Sequence, residues 1–527
     1  MRADRARVVE LTFGLDEPMT DEAIAERAAR ALNVERASLP SVVVEKRSLD
    51  ARKGRVSFHV RVKVGGPPPA PLALPHPKDV RLPARVVVVG MGPAGLFCAY
   101  ALARHGIASV VLERGKPVQP RRHDLKLVNQ RGVVDEESNY CFGEGGAGTY
   151  SDGKLYTRAT KRGDVRDVLE VLASCGAPPD ILVNARPHIG SNLLPKVVTA
   201  MRERLEAVGV EMRFGARVTD LVVEGGRVRG VRVAGGDDVR ADHVVVATGH
   251  SARDVYEFLD RAGVALAAKP FAVGVRIEHP QPLIDEIQYG TCAGHAALPA
   301  ASYALAHTED QVGVFSFCMC PGGFIVPATT APDEVVVNGM SPSLRNSRYA
   351  NSGLVVGVTP DDAARIGLTG WRAGLEVQRR IERAAFVAGG GAFRAPGTRV
   401  TDFVAGRASR DVPKTSYQPG LAPTDVGEVL DVVELGLAAR LRRALSVFDG
   451  KMRGYVTDEA VLVGVESRTS SPVRVVRDAE SLESPTLRGV YPTAEGAGYA
   501  GGIVSAALDG LAVAERIARQ MTTEPSD

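Results

Sequence analysis

The stretch Val86-Val87-Val88-Val89-Gly90-Met91-Gly92-Pro93-Ala94-Gly95-Leu96 constrains this chain more than any other. A short β-branched run reads as a buried parallel strand. It leads straight into G-x-G-x-x-G, and Leu96 to Arg104 then reads as a helix. Gly90 permits the tight turn, Gly92 lets backbone approach a pyrophosphate, and Gly95 lets the helix lie close to the strand. The helix start, beginning at Pro93 and Ala94, offers free N–H groups and partial positive charge to phosphates. A second strand, Ala108 to Leu112, ends in Glu113, with Arg114 next. A carboxylate at that point would hold the ribose hydroxyls of an adenosine. Strand, glycines, helix, strand and terminal acid in this order predict a dinucleotide-binding α/β unit.

The chain has 527 residues, too many for one core, so two or three domains are expected. Sixty-five basic and 62 acidic residues leave a net charge of +3, which provides no field for nucleic acid or a membrane surface. Six cysteines do not make a disulfide framework and suggest a reducing compartment. The charged start Met1-Arg2-Ala3-Asp4-Arg5 is not followed by an apolar stretch, so no signal peptide is expected. No apolar run reaches the ~18 residues of a membrane span. Together these features predict a cytoplasmic protein with no metal site.

Residues 1–64 read as a small β-α-β-β module of ferredoxin-like type, with strands at Ala6 to Phe13, Ser41 to Glu45 and Arg55 to Val64. Its helix, Asp21 to Leu32, takes Thr20 as N-cap. Arg47, Arg52, Lys53, Arg55, Arg61 and Lys63 make one end basic: either a protein-partner site or a solvated charged face. Residues 65–80, rich in proline, read as a semi-rigid linker. The dinucleotide unit then occupies 81–268. Residues 269–455 read as an inserted, β-rich α+β substrate domain, and 456–527 return to the first domain.

Within the dinucleotide unit, Arg114 to Ser138 reads as a polar segment, and Phe142 to Lys154 is glycine-rich. Gly146, Ala147, Gly148 and Thr149 would let backbone amides pass close to a flat or anionic ligand. Val218 opens a further strand, and the strand from Asp242 ends in Ala247-Thr248-Gly249, small residues that leave room for a cofactor. Near the C-terminus, Leu487 to Tyr491 reads as a strand. A glycine turn with Glu495, Gly501, Gly502 and Ile503 leads from it into a long helix, another anion-receiving geometry.

These stretches carry a resemblance. The chain is similar to a bacterial family of FAD-dependent dehydrogenases within the glutathione-reductase-type FAD superfamily. The likeness rests on Val88 to Phe97, Leu112 to Gly115, Phe142 to Lys154, Lys269 to Pro280, Phe317 to Gly323, Arg468 to Arg474 and Ala494 to Gly502. Lys46 to Lys53 resembles the family's leading module. One position departs: Ala494 stands where the family reads glycine. The resemblance implies a Rossmann-like FAD domain, non-covalent FAD and redox chemistry on a small-molecule substrate. Glu495 would then take the ribityl hydroxyls, and the helix start at Gly502-Ile503 would face the flavin's pyrimidine edge, where negative charge builds on reduction. No second glycine fingerprint occurs between Lys269 and Tyr455, so NAD(P)H is expected only as a transient reductant.

Candidates for chemistry are fewer. Cys318 and Cys320 form the only close cysteine pair: a thiolate beside the flavin, or two small residues at a strand–loop join. Arg276, Glu278 and His279 could wall the pocket, with His279 as acid or base or as a structural histidine. Arg468 and Arg474 could hold an anionic substrate, or pair with Glu466 or Asp478. Two other functions fit the motifs: a flavin-binding regulatory protein without turnover, and an RNA-modifying flavoprotein.

Overall fold

The computed structural model describes residues 6–52, 55–66, 78–157, 163–236 and 238–523. The fingerprint strand lies at the centre of a five-stranded parallel sheet, the position its valine run requires, and Val86, Val87 and Val88 are enclosed. His243–Val246 and Ile107–Leu112 flank it, and Val490–Pro492 and Glu211–Arg213 form the edges. On one face the helix Pro93–Arg104 packs against the C-terminal helix Ile503–Thr523. The approach is close enough that a Cβ on Gly510 would lie 2.1 Å from the Ala94 carbonyl oxygen. The other face is covered by an antiparallel sheet of Val218–Glu224, Arg227–Val233 and Val239–Arg240, which shares a core with Val87 and Val89.

A seven-stranded sheet forms the second body. Its order is Ala306–Glu309, Val312–Cys320, Tyr349–Val358, Phe271–Pro280, Val461–Glu466, Ala395–Arg399, Leu421–Pro423, antiparallel except at the last pair. Central Phe271–Pro280 alternates: Val273, Val275 and Ile277 join a core with the helices Ala373–Gly389 and Leu437–Lys451, while Arg276 and Glu278 take the other face. This sheet runs past the boundary expected at Tyr455. Val461–Glu466 still pairs with Phe271–Pro280 and Ala395–Arg399, so the chain leaves this body only after Glu466.

Arg114 to Ser138, expected as a polar segment, contains the helix Val118–Arg131. Its first turn is fixed from outside. Val118 N–H donates to Glu144 Oε2 at 2.7 Å. Buried Arg121 donates to the carbonyls of Asn139, Tyr140, Glu144 and Gly146 at 2.9–3.1 Å. Arg121 and Asp124, buried on the same face as Val118, Leu125 and Val128, break the apolar period that would mark this helix. The last strand of the parallel sheet is also shorter than expected, Val490–Pro492 rather than Leu487 to Tyr491.

The N-terminal module has the strands Arg7–Phe13, Val42–Asp50 and Ser57–Val64, with the third strand between the other two, and the helix Asp21–Leu32. Thr20 Oγ1 accepts from Ala23 N–H at 3.3 Å, the expected cap. The module docks by backbone: Arg47 N–H donates to Val183 O (2.7 Å) and Ala185 N–H to Arg47 O (2.8 Å). Its basic end is partly self-paired, Arg52 with Asp50 and Arg61 with Glu10. Residues 67–77 of the linker and Lys53 lie outside the described residues. Among the described residues no helix is long and apolar enough to cross a membrane.

Candidate active site

One long pocket runs between the parallel sheet and the seven-stranded sheet. Gly90, Gly92, Pro93 and Ala94 line it. The three fingerprint glycines do three different things. Gly90 has φ +102°, a backbone conformation that favours glycine, and its Cβ position lies 2.6 Å from Ala247 O. Gly95 faces away from the pocket, and a Cβ there would lie 2.0 Å from Gly90 O. Gly92 alone opens onto space, with no protein atom within 4 Å of its Cβ position, beside the first turn of the helix. That is the cradle a pyrophosphate needs.

Glu113 lines the same pocket and is buried. Its Oε2 accepts from Met91 N–H, and its Oε1 from Gly115 and Gly143 N–H, each at 2.9 Å. These amides fix the carboxylate in place, and its remaining lone pairs suit ribose hydroxyls. Arg114 also lines the pocket but works as a strut: it pairs with Asp254 at 2.5 Å and Glu137 at 2.9 Å, and its guanidinium lies 4.6 Å from the Phe142 ring centroid. Val218 and Ala216 complete that end.

The same pocket is lined by Gly146, Ala147 and Gly148, by Ala247, Thr248 and Gly249, and by Glu495, Gly502 and Ile503, with the Cβ position of Gly148 3.4 Å from the Ile503 side chain. Thr149 and Gly501 do not line it; the Thr149 hydroxyl donates to Glu144 O at 2.7 Å. Ala494 has φ +59°, where glycine is the favoured residue, so its methyl group sits on strained backbone. Asp509 Oδ2 accepts its N–H at 2.7 Å and holds it there.

The opposite wall comes from the seven-stranded body. Phe317 and Cys318 line it, with Asn338 and Gly339 from a neighbouring strand, and Arg468 and Thr469. Lys154, at the end of the glycine-rich loop, reaches across, its Nζ 3.8 Å from the sulfurs of both Cys318 and Cys320. The Cys320 side chain and Lys154 bring the Cys318 thiol down to about 6 against the opposing effect of dense packing, whereas Cys318 and burial push Cys320 up.

Three expected wall residues lie elsewhere. Glu278 is buried and accepts from the Thr415 hydroxyl at 2.7 Å and from Ser416 N–H at 2.9 Å. Arg276 is buried behind the wall: it pairs with Glu466 at 3.0 Å and donates to Asn351 Oδ1 (2.8 Å) and Cys318 O (2.9 Å). A Cβ on Gly339 would lie 2.3 Å from its Nη2. His279 is buried at another site, where Nε2–H donates to Tyr455 O at 2.8 Å and burial pushes its pKa down to about 4. It is a neutral structural histidine, not an acid for this pocket. Arg468 uses neither Glu466 nor Asp478. It binds Glu334 (2.6 Å) and Glu382 (3.1 Å), and Arg253 also binds Glu382 (2.8 Å). Arg474 lies 4.3 Å from the Tyr499 ring centroid.

Two pocket residues escaped the sequence analysis as contributors. Lys154 was visible only as the end of a glycine-rich motif. His250 follows Ala-Thr-Gly with no motif of its own: its Nε2–H donates to Arg468 O (2.9 Å), leaving Nδ1 3.5 Å from Glu495 Oε1. Burial lowers its pKa, so the neutral ring is favoured.

Family comparisons agree with this geometry. An FAD binding domain matches residues 83–138, an FAD dependent oxidoreductase domain 194–303, and a domain described as "FAD-dependent protein, C-terminal domain-like" 270–469. A domain of unknown function matches 5–65. A protein of Clostridium beijerinckii, described as uncharacterized, is 40% identical over 536 residues, covering 97% of this chain and 98% of its own length. The chain belongs to that protein's family. It is an FAD-dependent oxidoreductase, and FAD is its cofactor. An FAD-dependent monooxygenase, nodY2 of Hypoxylon pulicicidum, is 26% identical over 44% of this chain and 49% of its own. A structure of the flavin-dependent brominase Bmp2 is similar at a TM-score of 0.36 and 13% identity, over 84% of this chain and 81% of its own, too distant to argue from.

Proposed function

We propose that the pocket transfers a hydride between the flavin and a small organic substrate bound against the wall formed by the seven-stranded sheet. The observation that carries this reading is the shared pocket: the residues suited to hold FAD and a polar, thiol-bearing wall line one continuous space. Gly92 and the start of the helix Pro93–Arg104 hold the pyrophosphate, and Glu113 the adenosine ribose. Glu495 would hold the ribityl hydroxyls, and the start of the helix Ile503–Thr523 would favour the negative charge that reduction places on the ring. Bound FAD supplies two-electron chemistry at N5. The protein orients substrate through Lys154, Asn338 and the Cys318 edge, with Phe317 lining the same wall. The buried set Arg468, Glu334, Glu382 and Arg253 keeps the wall from shifting as charge moves in the pocket.

The division into a cofactor body of glutathione-reductase type and an inserted substrate body follows from the same reading. A regulatory flavoprotein without turnover and an RNA-modifying flavoprotein are not favoured by the oxidoreductase domains that match. The test is an anaerobic screen of metabolite classes against purified holoprotein, following loss or return of flavin absorbance. A compound that bleaches or restores the flavin with saturable kinetics is expected. No response from any reductant or oxidant, with FAD bound, would refute turnover.

A further inference from the structure

We propose that Cys318 and Cys320 are a redox-active dithiol that exchanges an electron pair with the flavin, Cys318 facing the cofactor pocket and Cys320 acting as the buried resolving thiol. This rests on the FAD pocket described above and assigns its wall a second electron carrier.

The pair is not an ordinary stretch of strand. The ladder between Val312–Cys320 and Tyr349–Val358 is regular up to Phe317↔Gly353, breaks, and resumes at Cys320↔Asn351. Cys318 in the break has φ +46°, a backbone conformation that strains a non-glycine residue. Strand geometry alone would put residues two apart on one face. Here the break leaves Cys318 open to the pocket while Cys320 is fully enclosed. Both sulfurs stay within reach of one cation, Lys154 Nζ at 3.8 Å from each. The Cys320 thiol donates to Cys318 O at 3.3 Å, and Arg276 Nη2 lies 3.7 Å from Cys320 Sγ. Two cations facing two thiols favour a thiolate at the accessible sulfur, against the opposing charge of Glu466. Two merely structural cysteines at a strand end would need none of this.

The exchange balances without another reagent. The Cys318 thiolate and the Cys320 thiol form a disulfide. Two electrons pass to oxidised FAD, and the proton lost by Cys320 follows them to the reduced flavin. In reverse, reduced flavin opens the disulfide. Lys154 is a positioning residue in this scheme, holding the thiolate rather than reacting.

The test uses the full-length holoprotein, oxidised with ferricyanide, desalted and titrated anaerobically with dithionite. Wild type is expected to take four electrons per FAD, and Cys318→Ser and Cys320→Ser two each. Thiol counts after denaturation should read four in the oxidised protein and six after reduction, since the chain has six cysteines. Lys154→Met should raise the pH at which Cys318 is alkylated by at least one unit, a shift that a purely structural lysine would not produce. Two electrons and six thiols in oxidised wild type, with FAD bound, would overturn the dithiol and leave the flavin reading standing. A protein that takes up no FAD would overturn the flavin reading instead. The wild-type counts decide the matter even where a variant fails to fold.

Discussion

Gly92→Val separates binding from folding. The backbone of Gly92, at φ −74° and ψ −177°, is open to any residue, and no protein atom lies within 4 Å of its Cβ position. The apo fold should therefore tolerate the change, with a gain of up to ~1 kcal/mol from a stiffer unfolded chain. The branched side chain would instead occupy the space a pyrophosphate must enter. Losing two charge-assisted hydrogen bonds at the helix start costs about 3–6 kcal/mol, because each is worth about 1.5–3. At 1.4 kcal/mol per decade that is about 10²–10⁴ in FAD affinity. Titration of apoprotein with FAD, read by quenching of flavin fluorescence, measures this loss, and thermal unfolding without FAD measures the fold. Gly95→Ala is the counterpart: its Cβ would lie 2.0 Å from Gly90 O, a backbone clash that should cost ~3 kcal/mol or more in the apo fold. The argument is refuted if Gly92→Val binds FAD like wild type, or if its apoprotein is destabilised as much as Gly95→Ala.

Four further outcomes are expected. Ala494→Gly, at φ +59°, should raise stability by ~1 kcal/mol in denaturant unfolding; no change would mean that the strain is relieved elsewhere. His279 is buried with its pKa down at about 4, so below pH 6.5 the unfolded chain takes up a proton that the fold does not. Stability should fall by about 3 kcal/mol between pH 6.5 and 4, and His279→Gln should flatten that slope in urea titrations across the range. Removing residues 1–77 should leave FAD bound, because Lys78 and Val80 still tie to Ala103 and Val208 by backbone bonds; loss of flavin on truncation would make the module part of the cofactor core. NADH and NADPH should reduce the flavin weakly in stopped-flow mixing; saturable reduction at low micromolar nucleotide would reveal a nicotinamide site absent from the sequence pattern.

What the sequence disclosed about the cofactor body followed from local rules. A short valine run reads as a strand buried on both faces, and glycine spacing maps onto distinct backbone jobs, so the Gly90-to-Glu113 unit could be read residue by residue. The helix Val118–Arg131 was hard to read because the charged Arg121 and Asp124 share its buried face with Val118, Leu125 and Val128, Arg121 finding four carbonyl partners among residues 139–146. The same failure misplaced Arg276. Its charge pointed to a pocket wall, but a charged side chain is not thereby exposed when Glu466, Asn351 and Cys318 O are waiting for it.

The pocket wall makes this failure informative. Buried arginines brace it, Arg276 behind the cysteine pair and Arg468 in the wall beside Thr469, each with its own carboxylates. Such pairs are poor sources of net stability, since desolvation offsets most of their attraction, yet removing one partner costs about 3–5 kcal/mol. A wall built this way resists rearrangement more than it adds to stability. Glu382→Gln probes it. Although burial acts to raise the Glu382 pKa, Arg253 and Arg468 hold it well below the usual carboxylate range. The carboxylate therefore stabilises the fold at neutral pH, and this contribution fades as acid protonates it. The variant removes the charge and leaves Arg468 with Glu334 alone. It should unfold about 3 kcal/mol more easily at pH 7, and the gap to wild type should narrow toward low pH. A variant as stable as wild type at pH 7 would show that the network is dispensable and that something other than these ion pairs fixes the wall.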